Sequence, residues 1–91
     1  MAAVTEAAEG SAKMLNRERK AFADRVTTNL YALQGKNTNE YMALLMGDKS
    51  RSTWNERKRN PMNMKLGEFF RLSEQTGVPV EEIIFGRVER R

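Results

Sequence analysis

The side chains best suited to chemistry lie together in one basic segment near the middle of the chain. This segment carries four cations within nine positions, Arg51, Arg57, Lys58 and Arg59, together with the polar residues Ser50, Ser52 and Asn55. Like charges crowded this closely repel one another, so they do not stabilise a small domain by themselves. A polyanion would neutralise them, and the hydroxyl and amide groups can form hydrogen bonds with phosphates and base edges. The segment therefore predicts a surface that binds nucleic acid.

No set of residues points to catalysis or to metal binding. The 91-residue chain has no cysteine and no histidine, so the usual zinc ligands and the commonest general base are missing. Glu81 and Glu82 are adjacent acids, but neighbouring residues of a helix point about 100° apart. They are better explained as charges that complement a helix dipole. We expect no enzymatic activity, no cofactor and no small-molecule ligand.

The positive charge of the chain is unevenly distributed. The net charge is +4, and residues 49–60 contain five basic residues and one acidic residue. Residues 16–36 are also basic, through Arg17, Arg19, Lys20, Arg25 and Lys36. These cations either flank a nucleic-acid backbone or form a solvated face. The apolar stretches are too short to span a membrane, and the N-terminus lacks the features of a secretory signal. We expect a cytoplasmic protein.

The elements that must position the basic segment are predicted to be five helices, with no convincing strand. Helix 1 begins at Asn16 as N-cap, carries an apolar stripe from Phe22 to Leu33 and ends at Gly35. The other helices are predicted at about Thr38–Gly47, Ser50–Lys58, Lys65–Thr76 and Val78–Phe85. We therefore expect an all-α domain over residues 16–86, a flexible segment over residues 1–15 and a tail over residues 87–91.

Helix 3 is predicted to attach to the core through a single residue. Trp54 is its only large apolar residue, and so short a helix is not stable alone, so Trp54 must anchor it to its neighbours. Helix 4 is expected to bury Leu66, Phe69, Phe70 and Ser73. Met62 and Met64 either join the core or form an exposed apolar patch for dimerisation.

Several short patterns occur in a characteristic order along the chain. They are Ala43 and Gly47 four positions apart, the run Ser50-Arg51-Ser52-Thr53-Trp54, the pair Asn60-Pro61, and the apolar patterns over Leu66–Val78 and Val80–Ile84. In this order they resemble the helix-turn-helix domains of the lambda-repressor/Cro type, the XRE family, and most of all its small phage members. The resemblance covers about residues 16–86 and implies a compact five-helix lambda-repressor-like domain. Asp48 and Lys49 depart from the family pattern in the turn.

The resemblance implies a function and a set of contacts. The expected function is sequence-specific binding of double-stranded DNA by a transcriptional regulator, such as a phage or prophage repressor or Cro-like switch protein that occludes a promoter. Base contacts are expected from Arg51, Ser52, Asn55 and Ser50, and phosphate contacts from Lys49, Arg57, Lys58, Arg59, Thr38 and Asn39, with Ala43, Gly47 and Trp54 in the core of the motif. Arg51 suits guanine because its planar guanidinium can donate to O6 and N7 together, and an equal alternative is a surface arginine or a phosphate clamp. Thr38 and Asn39 could serve as caps alone, and Arg57, Lys58 and Arg59 as charges that complement a helix end.

The expected partners are an operator duplex and a second copy of the chain. A domain with one short recognition helix commonly binds a two-fold operator as a homodimer, and Phe85 and Val88 are the candidate apolar contacts near the C-terminus. Three alternatives stay open. They are an antitoxin that binds a toxin and its own operator, a phage recombination or excision accessory factor, and a protein-interaction module that has lost DNA binding.

Overall fold

Five α-helices form the protein in the computed structural model, which describes the backbone of residues 2–90 and the side chains of residues 15–90. They are α1 (Ala2–Gln34), α2 (Asn39–Leu45), α3 (Arg51–Arg59), α4 (Leu66–Thr76) and α5 (Val80–Ile84), with a 3₁₀ turn at Pro61–Asn63. No strand occurs between residues 2 and 90, and no helix there is long and apolar enough to cross a bilayer. The all-α, five-helix fold predicted from the sequence is confirmed.

The core forms where one face of α1 meets the shorter helices. Val26, Leu30 and Leu33 of α1 are buried, as the apolar stripe predicts. The other helices add Met42, Ala43, Trp54, Phe69, Leu72 and Ile83 to the same hydrophobic cluster. Trp54 is fully buried, so the predicted anchor of α3 is confirmed. Met64 joins this cluster, whereas Met62 is exposed.

Helix α1 does not begin where the sequence predicts. It is continuous through Asn16, so the N-cap predicted there is wrong. Alanine, arginine, lysine and glutamate surround Asn16, and these good helix formers favour continuation over a cap. The flexibility predicted for residues 1–15 stays a prediction, and Met1 lies outside the described residues.

The inward face of α4 also differs from the prediction. Glu68, Phe69 and Leu72 are buried, whereas Leu66 and Phe70 are 63% and 50% exposed. The backbone N–H of Lys65 donates to Glu68 Oε1 over 2.8 Å, so the carboxylate satisfies the N–H of the N-cap residue at the start of the helix. This carboxylate also has a partner on α3, and together the two contacts turn Glu68 inward.

The segment predicted as a C-terminal tail packs against α1 in its described part, residues 87–90. Val88 is buried in the core, and its backbone N–H donates to Asn29 Oδ1 of α1 over 3.0 Å. Val88 is therefore not available as the predicted dimer contact. Arg91 lies outside the described residues.

Candidate nucleic-acid interface

A tight turn joins α2 to α3 and sets where α3 begins. Gly47 and Asp48 both have positive φ values, 124° and 58°. The backbone N–H of Lys49 donates to Ala43 O over 2.9 Å, and that of Asp48 donates to Leu44 O over 3.0 Å. The two residues with positive φ let the chain reverse direction and still satisfy the last carbonyls of α2.

Hydroxyl side chains cap α2 and α3. Ser50 Oγ accepts from the backbone N–H of Thr53 over 3.2 Å, and Thr38 Oγ1 accepts from that of Tyr41 over 3.1 Å. Each hydroxyl satisfies one of the N–H groups that a helix start leaves without a partner. Both residues therefore have a structural role, and the base or phosphate contacts expected of them stay predictions.

Helix α3 presents a polar outer face built at four-residue spacing. Arg51 and Arg59 are exposed and Asn55 is half-buried, and these three positions follow one another along the same side of the helix. Ser52 is exposed beside them. The structure thus brings three of the four predicted base-contacting residues, and one predicted phosphate contact, to one face.

Arg51 has one polar partner within the described side chains. Its guanidinium lies 3.3 Å from Glu40 Oε1 of α2, and both side chains are 64% exposed. An exposed ion pair of this kind contributes little to stability. The pair therefore leaves Arg51 able to exchange Glu40 for another hydrogen-bonding partner.

Lys58 faces inward, so the phosphate contact predicted for it does not fit its surroundings. It is 5% exposed, and its Nζ donates to Gln34 Oε1 over 2.8 Å and to Asn39 Oδ1 over 3.1 Å. The ammonium also lies 4.6 Å from the centroid of the Tyr31 ring. Burial lowers the pKa of Lys58. The residue lies four positions after Trp54, on the same inner face, and this spacing was the sequence signal for its burial.

Gln34 joins α1, α2 and α3 through a hydrogen-bond network that the sequence did not reveal. Its Oε1 accepts from Trp54 Nε1 over 3.0 Å as well as from Lys58, and its Nε2 donates to Asn39 Oδ1 over 2.9 Å. Thr27 Oγ1 adds a second tie from α1, because it donates to Lys58 O near the end of α3 over 2.7 Å. These bonds fix the orientation of α3 relative to the rest of the domain. Asn39 is thus engaged inside the protein.

Arg57 is likewise held within the domain. Its side chain is 18% exposed, its Nε donates to Glu68 Oε1 over 3.0 Å, and its guanidinium also pairs with Glu56. Burial alone would raise the pKa of Glu68, but hydrogen bonds from the Lys65 backbone and from Arg57 outweigh it, and the pKa is lowered. The phosphate contact predicted for Arg57 does not fit this double pairing.

The remaining cations of the segment, Lys49 and Arg59, are exposed. Tyr31 is a neighbour that the sequence analysis missed. Its side chain is 52% exposed, and it lines an open pocket together with Asn55 and Arg59. The hydroxyl group of a tyrosine beside these side chains can donate to a phosphate oxygen. Tyr31 directly follows the core residue Leu30 and lies outside the apolar stripe of α1, so it gave no sequence signal for this role.

Comparisons with protein-family models, with curated proteins and with solved structures found no match for this chain. The candidate interface is therefore inferred from geometry alone. Its basis is a short helix, α3, that is anchored by Trp54 and carries Arg51, Ser52, Asn55 and Arg59 on its other side.

Proposed function

We propose that the protein binds double-stranded DNA sequence-specifically through α3 and regulates transcription. The observation that carries the proposal is the division of α3 into two faces. Trp54 and Lys58 are buried on its inner side, whereas Arg51, Ser52 and Arg59 are exposed and Asn55 is half-buried beside them. A helix that is anchored on one side and polar on the other, and that follows a tight turn, suits insertion into a major groove.

The outward residues have chemistry that matches base pairs and phosphates. Arg51 lies in the first turn of α3, where a recognition helix approaches base edges, and its fork suits guanine O6 and N7. Asn55 lies one turn further on and suits adenine, while Ser52 can bond either a base or a phosphate. Lys49 and Arg59, at the two ends of the helix, are placed to contact phosphates.

The resemblance to lambda-repressor/Cro-type domains favours a cytoplasmic repressor or Cro-like role, in which the bound protein occludes a promoter. A homodimer on a two-fold operator would supply a second recognition helix. Phe85 supports that part of the proposal, because it is 69% exposed and its ring packs 5.8 Å from that of Phe22.

Selection of bound sites from random duplexes, followed by titration of Arg51→Ala, tests the proposal. We expect one enriched sequence, an affinity loss of about 1–3 kcal/mol for the variant, and relaxed preference at one base pair. Glu40→Gln is the control, since it removes the ion-pair partner of Arg51 and should not weaken binding. Unchanged operator affinity in Arg51→Ala would refute base reading by this residue, and binding no tighter to selected than to random duplex would refute the function.

A further inference from the structure

Asn29 holds the C-terminal segment of residues 86–90, here called the C-terminal strap, against α1. The Asn29 side chain is 2% exposed. Its Nδ2 donates to Ile83 O and Gly86 O, each over 2.9 Å, and its Oδ1 accepts from the Val88 N–H over 3.0 Å. The strap is therefore fixed at both its start and its middle, and Val88 is anchored in the core.

This anchoring gives the two arginines of the strap a defined place. Arg87 and Arg90 are exposed on either side of Val88. With Tyr31 and Lys58 they line one open groove between the strap and the C-terminal half of α1. Cations positioned by a buried asparagine lose less conformational freedom on binding an anion than cations on a free tail would lose.

Tyr31 connects the groove to the outer face of α3. It lines the groove with Arg87 and Arg90, and it also lines the pocket formed by Asn55 and Arg59. A polar surface thus continues from α3 across Tyr31 to the strap, where the Glu89 carboxylate lies between the two arginines and offsets part of their charge. Double-stranded DNA presents a phosphate about every 3.4 Å along each strand, so a backbone that passes Arg59 extends over the neighbouring surface.

We propose that Arg87 and Arg90 of the C-terminal strap contact DNA phosphates that flank the base pairs read by α3, with Tyr31 between the two contact regions. This inference rests on the proposed function and adds a second, sequence-independent part to the binding site. The strap contacts contribute affinity and extend the footprint on one side, whereas the choice of sequence stays with α3.

The test is the double variant Arg87→Gln with Arg90→Gln, compared with wild type on a selected duplex over a range of salt concentrations. Loss of two phosphate contacts should make the slope of log affinity against log salt shallower by about 1.8. Hydroxyl-radical footprinting should show lost protection at the outer flank and unchanged protection at the centre. Circular dichroism should be unchanged, because Asn29 and Val88 are intact.

The matched control is Arg17→Gln with Arg19→Gln, which removes the same charge about 20 Å from Tyr31 along α1. It should retain the wild-type footprint and most of the slope. A strap variant with wild-type slope and footprint, or a control with the same losses, overturns the strap contact while the proposed function stands. A wild-type protein that binds no duplex overturns both.

Discussion

Lys58 and Arg59 are neighbouring cations with opposite surroundings. The Lys58 ammonium donates to two amide oxygens and lies over the Tyr31 ring, whereas Arg59 is exposed. Adjacent residues of a helix point about 100° apart, so one side chain can be buried while the next faces solvent. It follows that Lys58 stabilises the fold and that Arg59 is the cation available to a phosphate.

Substitution of the two cations should separate stability from DNA affinity. Lys58→Ala should lower the free energy of unfolding by about 2 kcal/mol, because it loses a packed aliphatic stem and charge-assisted hydrogen bonds. Arg59→Gln should change stability by no more than about 0.5 kcal/mol and make the salt slope of binding shallower by about one. Urea denaturation and titrations at several salt concentrations measure both effects. The reverse pattern would assign the phosphate contact to Lys58, as the sequence predicts.

Glu68 should make stability depend on pH. Its pKa in the folded protein lies below the ordinary value, so its stabilising contribution is fully present above about pH 4.5 and is lost as the pH falls through the folded-state pKa. Glu68→Gln should therefore lower the free energy of unfolding at neutral pH, and its difference from wild type should shrink in acid. Hydrogen bonds from Asn63 and Arg57 also lower the pKa of Glu56. Because Glu56 is still present in Glu68→Gln, the stability of this variant should keep part of its dependence on pH.

Urea denaturation between pH 7 and pH 3 measures this effect. Glu74→Gln is the matched control, since Glu74 lies on the exposed side of the same helix. If the difference between wild type and Glu68→Gln were the same at every pH, the contacts with Arg57 and the Lys65 N–H would not stabilise the carboxylate in solution.

At the scale of the elements, the turn between α2 and α3 determines the direction in which α3 leaves. Gly47 has a φ of 124°, a conformation that residues with a Cβ rarely adopt. A Cβ at this position would also lie 3.0 Å from Arg71 Cδ. The turn therefore depends on glycine for its backbone conformation, whereas the exposed Arg71 side chain would only have to shift by a few tenths of an ångström.

Gly47→Ala should lower the free energy of unfolding by about 1–3 kcal/mol, the usual cost of a strained backbone conformation. Gly67→Ala is the matched control. It lies in α4, with nothing within 4 Å of its added Cβ, and should raise stability by up to about 1 kcal/mol. Thermal unfolding of the two variants measures the contrast. If Gly47→Ala and Gly67→Ala were equally stable, the turn would have relaxed to a backbone conformation that alanine adopts without strain.

The sequence predicts the bounds of α2 and α3 well, because the residues that start and end these helices are adjacent to them in the chain. Thr38 and Ser50 mark the two starts, and Gly47 marks the turn. The inward direction of Lys58 and Glu68 could not be found in this way, since it depends on partners that are distant along the chain. The same holds for the C-terminal strap, whose anchor Asn29 lies 59 positions before Val88. Sequence reasoning thus located α3 and its anchor Trp54, but not the division of the basic residues between core and surface.

At the scale of the whole molecule, the proposed function gives each copy one short recognition helix, α3, and this limits what a single copy can bind. A specific duplex site contacted by one such helix is small, and a two-fold pair of copies doubles it. Of the two apolar residues that the sequence puts forward for contact between copies, Phe85 is exposed and Val88 is buried. We therefore propose that the repressor role uses a dimer whose contact includes Phe85, at the end of α5.

Phe85→Glu should convert that dimer into monomers, because a carboxylate would then enter an apolar contact between copies without a partner. Its affinity for a two-fold operator should fall toward that of a half-site, while loss of the ring contact with Phe22 should cost only about 0.5–1.5 kcal/mol of stability. Light scattering with and without operator DNA measures the mass. Phe70→Glu is the matched control, since Phe70 is a half-exposed aromatic residue on α4. A wild-type protein that is monomeric in both conditions, or equal effects of the two variants, would exclude Phe85 as the dimer contact.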